Sequence, residues 1–413
     1  MGTTTSLPSA TVRKAVARPT GTSAADAAAH PAAQQTPVRP ALVSTTPRGP
    51  LEVVAMGCEP ARDLEPQGLG LTYWFDAAPS GEPYSIAVRF TGRRISSDDP
   101  GMGDAFDVVH TVDRVIPGSG RIALTARIPG VSRGEWKVAA EPVRGPEPPR
   151  TTGTRATRPA LLPTATSTGA TTYFPALGAL GPGVRLTAWP SLVGAGALVA
   201  FILQGLLADQ RDLPVGRLFL VSVLASLIGV VGAKVYYLLT HRTEKSPLLR
   251  AGMSVQGFVI AALATLLSGA WLTGISVGPM LDVTGPGLLF GMAIGRLGCL
   301  LGGCCAGRPT ASRWGVWSSD RRVGVRRIPV QLMESGMAAT VATATLFAAL
   351  TVDVPIDGLL LVAGLAAYIL GRQFLFPLRG LPRLTTWGRV TTLIAAALVL
   401  VAVMAIEFGA QTG

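Results

Sequence analysis

Seven apolar runs constrain this chain more than anything else in it. They lie near residues 190–208, 216–239, 252–273, 284–305, 329–352, 356–376 and 390–408. Each is long enough to cross a hydrocarbon core of roughly 30 Å at about 1.5 Å per residue. A helix satisfies all its backbone polar groups internally, which a membrane interior demands. Residues 189–413 are therefore expected to form an all-α polytopic membrane bundle of seven transmembrane helices. Charge follows the same division. Residues 1–188 carry 19 of the 36 Lys and Arg and 15 of the 24 Asp and Glu, and the remaining 17 and 9 fall mostly between the apolar runs. The net charge of +12 does not point to nucleic acid, because no recognisable reader motif carries it. Basic loops beside membrane helices meet anionic headgroups, which makes membrane lipid the expected partner.

The first half reads differently. Residues 1–50 are rich in Ala, Thr, Ser, Pro and Arg without apolar period and are expected to be disordered. Met1–Pro40 lacks the apolar stretch of a cleaved secretion signal. Residues 51–143 hold short runs rich in Val, Ile and aromatics: Leu51–Met56, Leu71–Phe75, Tyr84–Phe90, Phe106–Val115, Arg121–Arg127 and Glu135–Ala140. Gly, Pro and Asp separate them, and together they predict a small all-β, sandwich-like domain. His110 has no catalytic partner nearby in sequence and reads as a structural or surface histidine. Residues 144–188, rich in Pro, Thr, Arg and Gly, read as a linker. The architecture expected is thus multi-domain, with a disordered N-terminus, a β-sandwich-like domain, a linker and the bundle.

Polar residues inside the spans carry the functional reading. Arg296 sits well inside the fourth, in Gly295-Arg296-Leu297-Gly298-Cys299. An arginine at that depth is costly without a partner or water. A guanidinium matches phosphate oxygens in a fork, so Arg296 is either a phosphate clamp or a member of an internal ion pair. Gln331 and Glu334 are three apart and share a helix face at the start of the fifth span. Glu334 needs a cation, and Arg296 or Arg327 is the expected one, giving a buried polar cluster of Arg296, Arg327, Gln331 and Glu334. Cys299, Cys304 and Cys305 crowd together without a second Cys pair or a His in reach of sequence, so no metal is expected there. Small-residue packing and a thiol activated by Arg296 both remain open for them.

Four segments in order resemble the prolipoprotein diacylglyceryl transferase family. That family's signature runs Gly-Arg-x-Gly-Asn-Phe-x-Asn-Gly-Glu-x-x-Gly, and Gly295, Arg296, Gly298, Gly303 and Gly307 match it. Arg327-x-Pro329-x-Gln331-x-x-Glu334 resembles its Arg-x-Pro-x-Gln-x-Tyr-Glu, with Met333 in the place of Tyr. Gly232-Ala233-Lys234-Val235-Tyr236 and Gly252-Met253-Ser254-Val255-Gln256-Gly257 resemble its second-span and third-span motifs. The resemblance covers about 185–408 and none of residues 1–180. It implies a bacterial cytoplasmic (inner) membrane enzyme that needs no cofactor. Such an enzyme transfers the diacylglyceryl group of phosphatidylglycerol to the lipobox cysteine thiol of prolipoproteins and releases glycerol phosphate. By the same resemblance Arg296, Arg327 and Glu334 are catalytic, and Gly298, Gly303, Gly307, Gln331, Gln256, Cys299 and Cys304 line the substrate site. The family's signature Asn, second Asn and Glu fall here at Cys299, Gly302 and Cys304, and its third-span His at Gln256. These departures leave open a non-catalytic or altered-specificity lipid- or lipoprotein-binding relative. Loop charges and resemblance also disagree on orientation. The loops 240–251, 306–328 and 377–389 hold a dozen Lys and Arg, which favours a cytoplasmic N-terminus; the resemblance implies an extracytoplasmic one.

Overall fold

The computed structural model describes residues 49–54, 64–95, 101, 103–143, 162–241, 252–352, 356–380 and 387–412. Most of the expected disordered segment, the end of the expected strand 51–56, the first part of the expected linker, nearly all of loop 240–251 and the middle of loop 377–389 lie outside these. The chain divides into two compact units: residues 1–186 with 301–329, and residues 187–300 with 330–413.

Among the described residues the first unit has ten strands: β1 (Leu51–Val53), β2 (Gln67–Asp76), β3 (Tyr84–Arg94), β4 (Ala105–Val115), β5 (Arg121–Pro129), β6 (Glu135–Val143), β7 (Ala165–Ala170), β8 (Thr172–Tyr173), β9 (Val316–Ser319) and β10 (Val323–Arg327). One sheet runs β1-β2-β5-β10-β9, with β8 on β2, and the other β4-β3-β6-β7. Period-two alternation builds the core between them. Leu69, Leu71, Tyr73 and Phe75 of β2 and Ile122, Leu124, Ala126 and Ile128 of β5 meet Ile86, Val88 and Phe90 of β3 and Trp136, Val138 and Ala140 of β6. The six expected strands are present. Two contributions to the sheets come from outside the expected domain. The first is β7, in the stretch read as linker, which pairs with β6 from Glu135↔Ala170 to Ala140↔Ala165. Its composition, Ala-Thr-Ser-Thr-Gly-Ala, is too small and polar to announce a strand. The second is the β9–β10 hairpin, which comes from between two membrane helices. β10 pairs with β5 at Val323↔Leu124 and Gly324↔Ala123, and Val325 joins the core. The Trp317 indole donates to the Arg121 carbonyl at 2.9 Å and stacks on Trp74.

The second unit holds seven helices long and apolar enough to cross a membrane: α1 (Ala188–Gln210), α2 (Val215–Thr240), α3 (Val255–Thr273), α4 (Val277–Leu301), α5 (Val330–Thr351), α6 (Leu359–Leu375) and α7 (Gly388–Thr412). Their large apolar side chains point outward: Leu206, Leu227, Ile260, Phe347 and Leu398 are all exposed. This is the inverse of a soluble core and the mark of a multi-pass membrane protein. Small residues let helices meet instead. A Cβ at Gly287 of α4 would lie 2.6 Å from the carbonyl oxygen of Ala200 on α1, so only glycine permits that approach. The fourth helix departs most from its expected range of 284–305. It begins seven residues earlier, carries Pro286 internally and ends at Leu301. Gly303 at φ +67° and Cys305 at φ +55° turn the chain away from helix.

Candidate active site

Glu334 organises the interior of the bundle. It sits one turn inside α5 and is 1% exposed. One carboxylate oxygen faces Arg296 of α4, with Nε at 3.2 Å; the other takes a short charge-assisted hydrogen bond from Arg379. Ser335, the next residue, donates to the Ala293 carbonyl at 2.7 Å and so fixes α5 against α4. Arg296 also reaches Tyr368 of α6, Nη2 to Oη at 3.4 Å. Arg372, one turn beyond Tyr368, lies within electrostatic reach of Arg296, Arg379 and Glu334. Gln331 is buried one turn before Glu334.

Two guanidiniums therefore share one carboxylate, with a third in electrostatic reach. Among the described residues Glu334 is the one carboxylate acting on both Arg296 and Arg372, so positive charge gathers around it. Positive charge gathered inside a bundle is expensive, and an oxyanion is the ligand such a cluster could hold. The fork of a guanidinium matches phosphate in particular. Cys299, one turn past Arg296, is buried and electrostatically coupled to it.

The structure pairs Arg296 with Glu334, one of the pairings the sequence suggested, and the second cation on Glu334 is Arg379. Arg327 belongs to the β unit, at the end of β10. Its Nη2 meets Asp320 at 2.6 Å and its Nη1 the Gly307 carbonyl at 3.1 Å. Burial pulls its pKa down, against the upward pull of Asp320. Of the two cations expected for Glu334, Arg296 pairs with it, and Arg327 pairs with Asp320 in the tight β9–β10 turn. Gly298 packs against α1, where an added Cβ would meet the Trp189 Cα at 3.2 Å. Gly303 and Gly307 shape the segment after α4, Gly303 through its positive φ and Gly307 through its carbonyl. Cys304 and Cys305 follow α4 in the same segment and are half-buried. Gln256 is exposed at the start of α3 and accepts a hydrogen bond from Ser254 at 2.9 Å.

Three residues of the cluster were not found from the sequence: Tyr368, Arg372 and Arg379. Tyr368 and Arg372, four apart, share one face of α6, while Arg379 follows the helix in extended backbone and looks like an ordinary basic flank of a span. A second buried carboxylate was also missed. Asp282 of α4 is 0% exposed. It accepts backbone N–H groups of Gly358, Leu360 and Leu361 at 2.8, 3.0 and 3.4 Å and faces Arg211 at 3.9 Å. It caps the N-terminus of α6 and lies fourteen residues from Arg296 on α4, about 21 Å along the helix.

Comparison with known proteins agrees with the motifs. A sequence model described as prolipoprotein diacylglyceryl transferase matches residues 176–407. A phosphatidylglycerol–prolipoprotein diacylglyceryl transferase 2 of Clostridium perfringens is 27% identical over 163 residues, 37% of this chain and 64% of that protein. Phosphatidylglycerol–prolipoprotein diacylglyceryl transferases of two strains of Dehalococcoides mccartyi are similar as well. One is 34% identical over 116 residues (27% of this chain, 44% of that protein) and the other 40% identical over 85 residues (21% and 32%). The chain thus spans between about a third and two thirds of these relatives' lengths. With more than half of its residues matched by the family model, helices and signature segment included, the chain belongs to the prolipoprotein diacylglyceryl transferase family.

Proposed function

We propose that this protein transfers the diacylglyceryl group of phosphatidylglycerol to the lipobox cysteine thiol of prolipoproteins, in a bacterial cytoplasmic membrane. The observation that carries this reading is the convergence of Arg296 and Arg379 on Glu334, with Arg372 within electrostatic reach. In the reaction a new S–C bond forms between the thiol and the diacylglyceryl carbon. The bond from that carbon to the phosphate oxygen breaks, its electron pair leaves on the phosphate, and the thiol proton ends on the released glycerol phosphate. Negative charge therefore grows on the leaving group, and Arg296 with Arg372 and Arg379 stabilises it. Glu334 holds Arg296 and Arg379 at a fixed separation, so the donors are in place before charge develops. Arg327 and Gly307, held together through the Gly307 carbonyl, have a supporting role in shaping the signature segment. Cys299, placed where relatives of the family carry an amide, lines the site beside Arg296.

Membranes containing the protein, given phosphatidylglycerol and a lipobox peptide, test the reading. The peptide should gain a thioether-linked diacylglyceryl group, and Arg296→Ala should lower the rate roughly 100- to 1,000-fold, the usual loss for one donor to a developing oxyanion. Wild-type transfer by the alanine variant would remove Arg296 from the mechanism; no transfer by wild type would remove the reaction.

A further inference from the structure

We infer that the turn Ser312–Gly315, ahead of β9, docks on the headgroups of an anionic lipid surface. This goes beyond the transfer reaction and does not depend on it. Trp314 is 75% exposed, the guanidinium of Arg313 lies 5.0 Å from its ring centroid, and Gly315 closes the turn by donating to the Ser312 carbonyl at 2.9 Å. An exposed tryptophan capped by its own cation wastes apolar surface in water. At a bilayer interface the same pair is well placed, the indole among the upper acyl carbons and the guanidinium among phosphates.

Strand register says where along the hairpin the turn lies. β10 pairs antiparallel with β9 so that Arg327 faces Val316. The turn directly precedes Val316, and Arg327 opposite it lies three residues before α5 begins at Val330. The turn therefore lies at the end of the hairpin from which the chain passes into a membrane helix. The opposite end, Asp320–Arg322, is tied to the β unit by Arg322 donating to the Thr111 carbonyl.

Charge selects the kind of lipid. The segment 301–329 holds six arginines against Asp320 alone. Arg327 is neutralised by Asp320, and Arg321 and Arg322 donate to the backbone carbonyls of Gly302 and Thr111. Arg308 and Arg313 are exposed and Arg326 partly so. Arg308 and Arg326 flank the turn through the backbone bonds of Ile328 to Arg308 and Thr310 to Arg326. A zwitterionic surface offers such a patch little net attraction; an anionic one attracts each arginine.

The full-length protein in vesicles tests this. Headgroup-nitroxide lipid serves as quencher, and the tryptophan signal of Trp314→Phe is subtracted from that of wild type. With phosphatidylglycerol or phosphatidylserine mixed into phosphatidylcholine, the Trp314 signal should be quenched. In phosphatidylcholine alone quenching should fall, and R313S/R326S should lower the docked-to-undocked ratio roughly fivefold per arginine, with R313K/R326K restoring it. Trp314 emission open to aqueous iodide and indifferent to lipid charge would overturn the inference. So would a response to phosphatidylglycerol but not phosphatidylserine, which would mark a donor-binding site, or shielding by a lipobox peptide in lipid-free detergent, which would mark a peptide dock.

Discussion

At the scale of residues, the site is a problem in charge balance, and its solution assigns a role to a residue that composition hides. Arg379 and Arg296 take opposite oxygens of Glu334, so removing either leaves the carboxylate half-satisfied and shifts the other guanidinium. Arg379→Ala should cut transfer by about 100-fold or more, and Arg379→Lys should recover only part of it, because an ammonium lacks the planar fork. Equal activity of the Lys variant and wild type, measured by peptide modification, would show that charge alone suffices. Arg296 and Glu334 were legible because a charged residue inside an apolar run demands an explanation. Tyr368, Arg372 and Arg379 were not, because the last of them follows the span, just past a short turn at Phe376–Leu378. Outside the membrane, His110 offers a pH test. Burial, helped by Arg322 and Arg127, lowers its pKa below the usual 6.5. The folded β unit thus holds His110 neutral while the unfolded chain protonates it more readily. Its contribution to stability is full above about pH 6.5 and is lost as pH falls through the lowered value. The melting temperature of wild type should drop between neutral and mildly acid pH by more than that of His110→Gln; parallel profiles would exclude His110 as the cause.

At the scale of elements, Asp282 shows how a membrane bundle uses one buried carboxylate to fix two helices. It accepts three N–H groups at the start of α6, groups that no preceding turn of that helix satisfies. Arg211 spans from Asp282 to the Ala349 carbonyl near the end of α5. Asp282→Ala should therefore destabilise the bundle by about 1–2 kcal/mol for the lost cap, with more from the unpaired arginine. Because Asp282 lies about two-thirds of a bilayer's thickness from Arg296 along α4, residual activity per folded molecule should stay near wild type. Thermal stability in detergent and activity normalised to folded protein would separate the two effects; loss of activity without loss of stability would tie Asp282 to the chemistry instead. Helix positions were readable from apolar runs alone. The start of α4 was not, since Asp282 and Pro286 interrupt the run and only the cap contacts reveal why a carboxylate is tolerated there. The hairpin was hidden for a related reason: Val323-Gly-Val-Arg-Arg reads as a basic loop until β5 supplies the ladder that makes it a strand.

At the scale of the molecule, one sheet constrains the path through the membrane. β5 and β10 pair directly, so residues 121–129 and 323–327 lie on the same side of the bilayer. Between them run α1, α2, α3 and α4, and four crossings return the chain to its starting side. An odd number would forbid the pairing, so the sheet and the helix count support each other. Three more crossings, α5 to α7, carry the C-terminus to the opposite side. The sheet also reduces the weight of loop charge as a guide to orientation. Half of the dozen basic residues that favour a cytoplasmic N-terminus sit in the segment 306–328. Arg321, Arg322 and Arg327 there are held by hydrogen bonds within the folded β unit. With that segment set aside, the remaining bias is modest, and the proposed transfer to a lipobox thiol outside the cytoplasm calls for the opposite orientation. Green fluorescent protein fused after Gly413 should therefore fluoresce, and alkaline phosphatase fused at the same position should be inactive. Active phosphatase there would place the β unit, and the turn at Trp314 with it, on the cytoplasmic face. It would also remove extracytoplasmic acceptor peptides from reach of that unit.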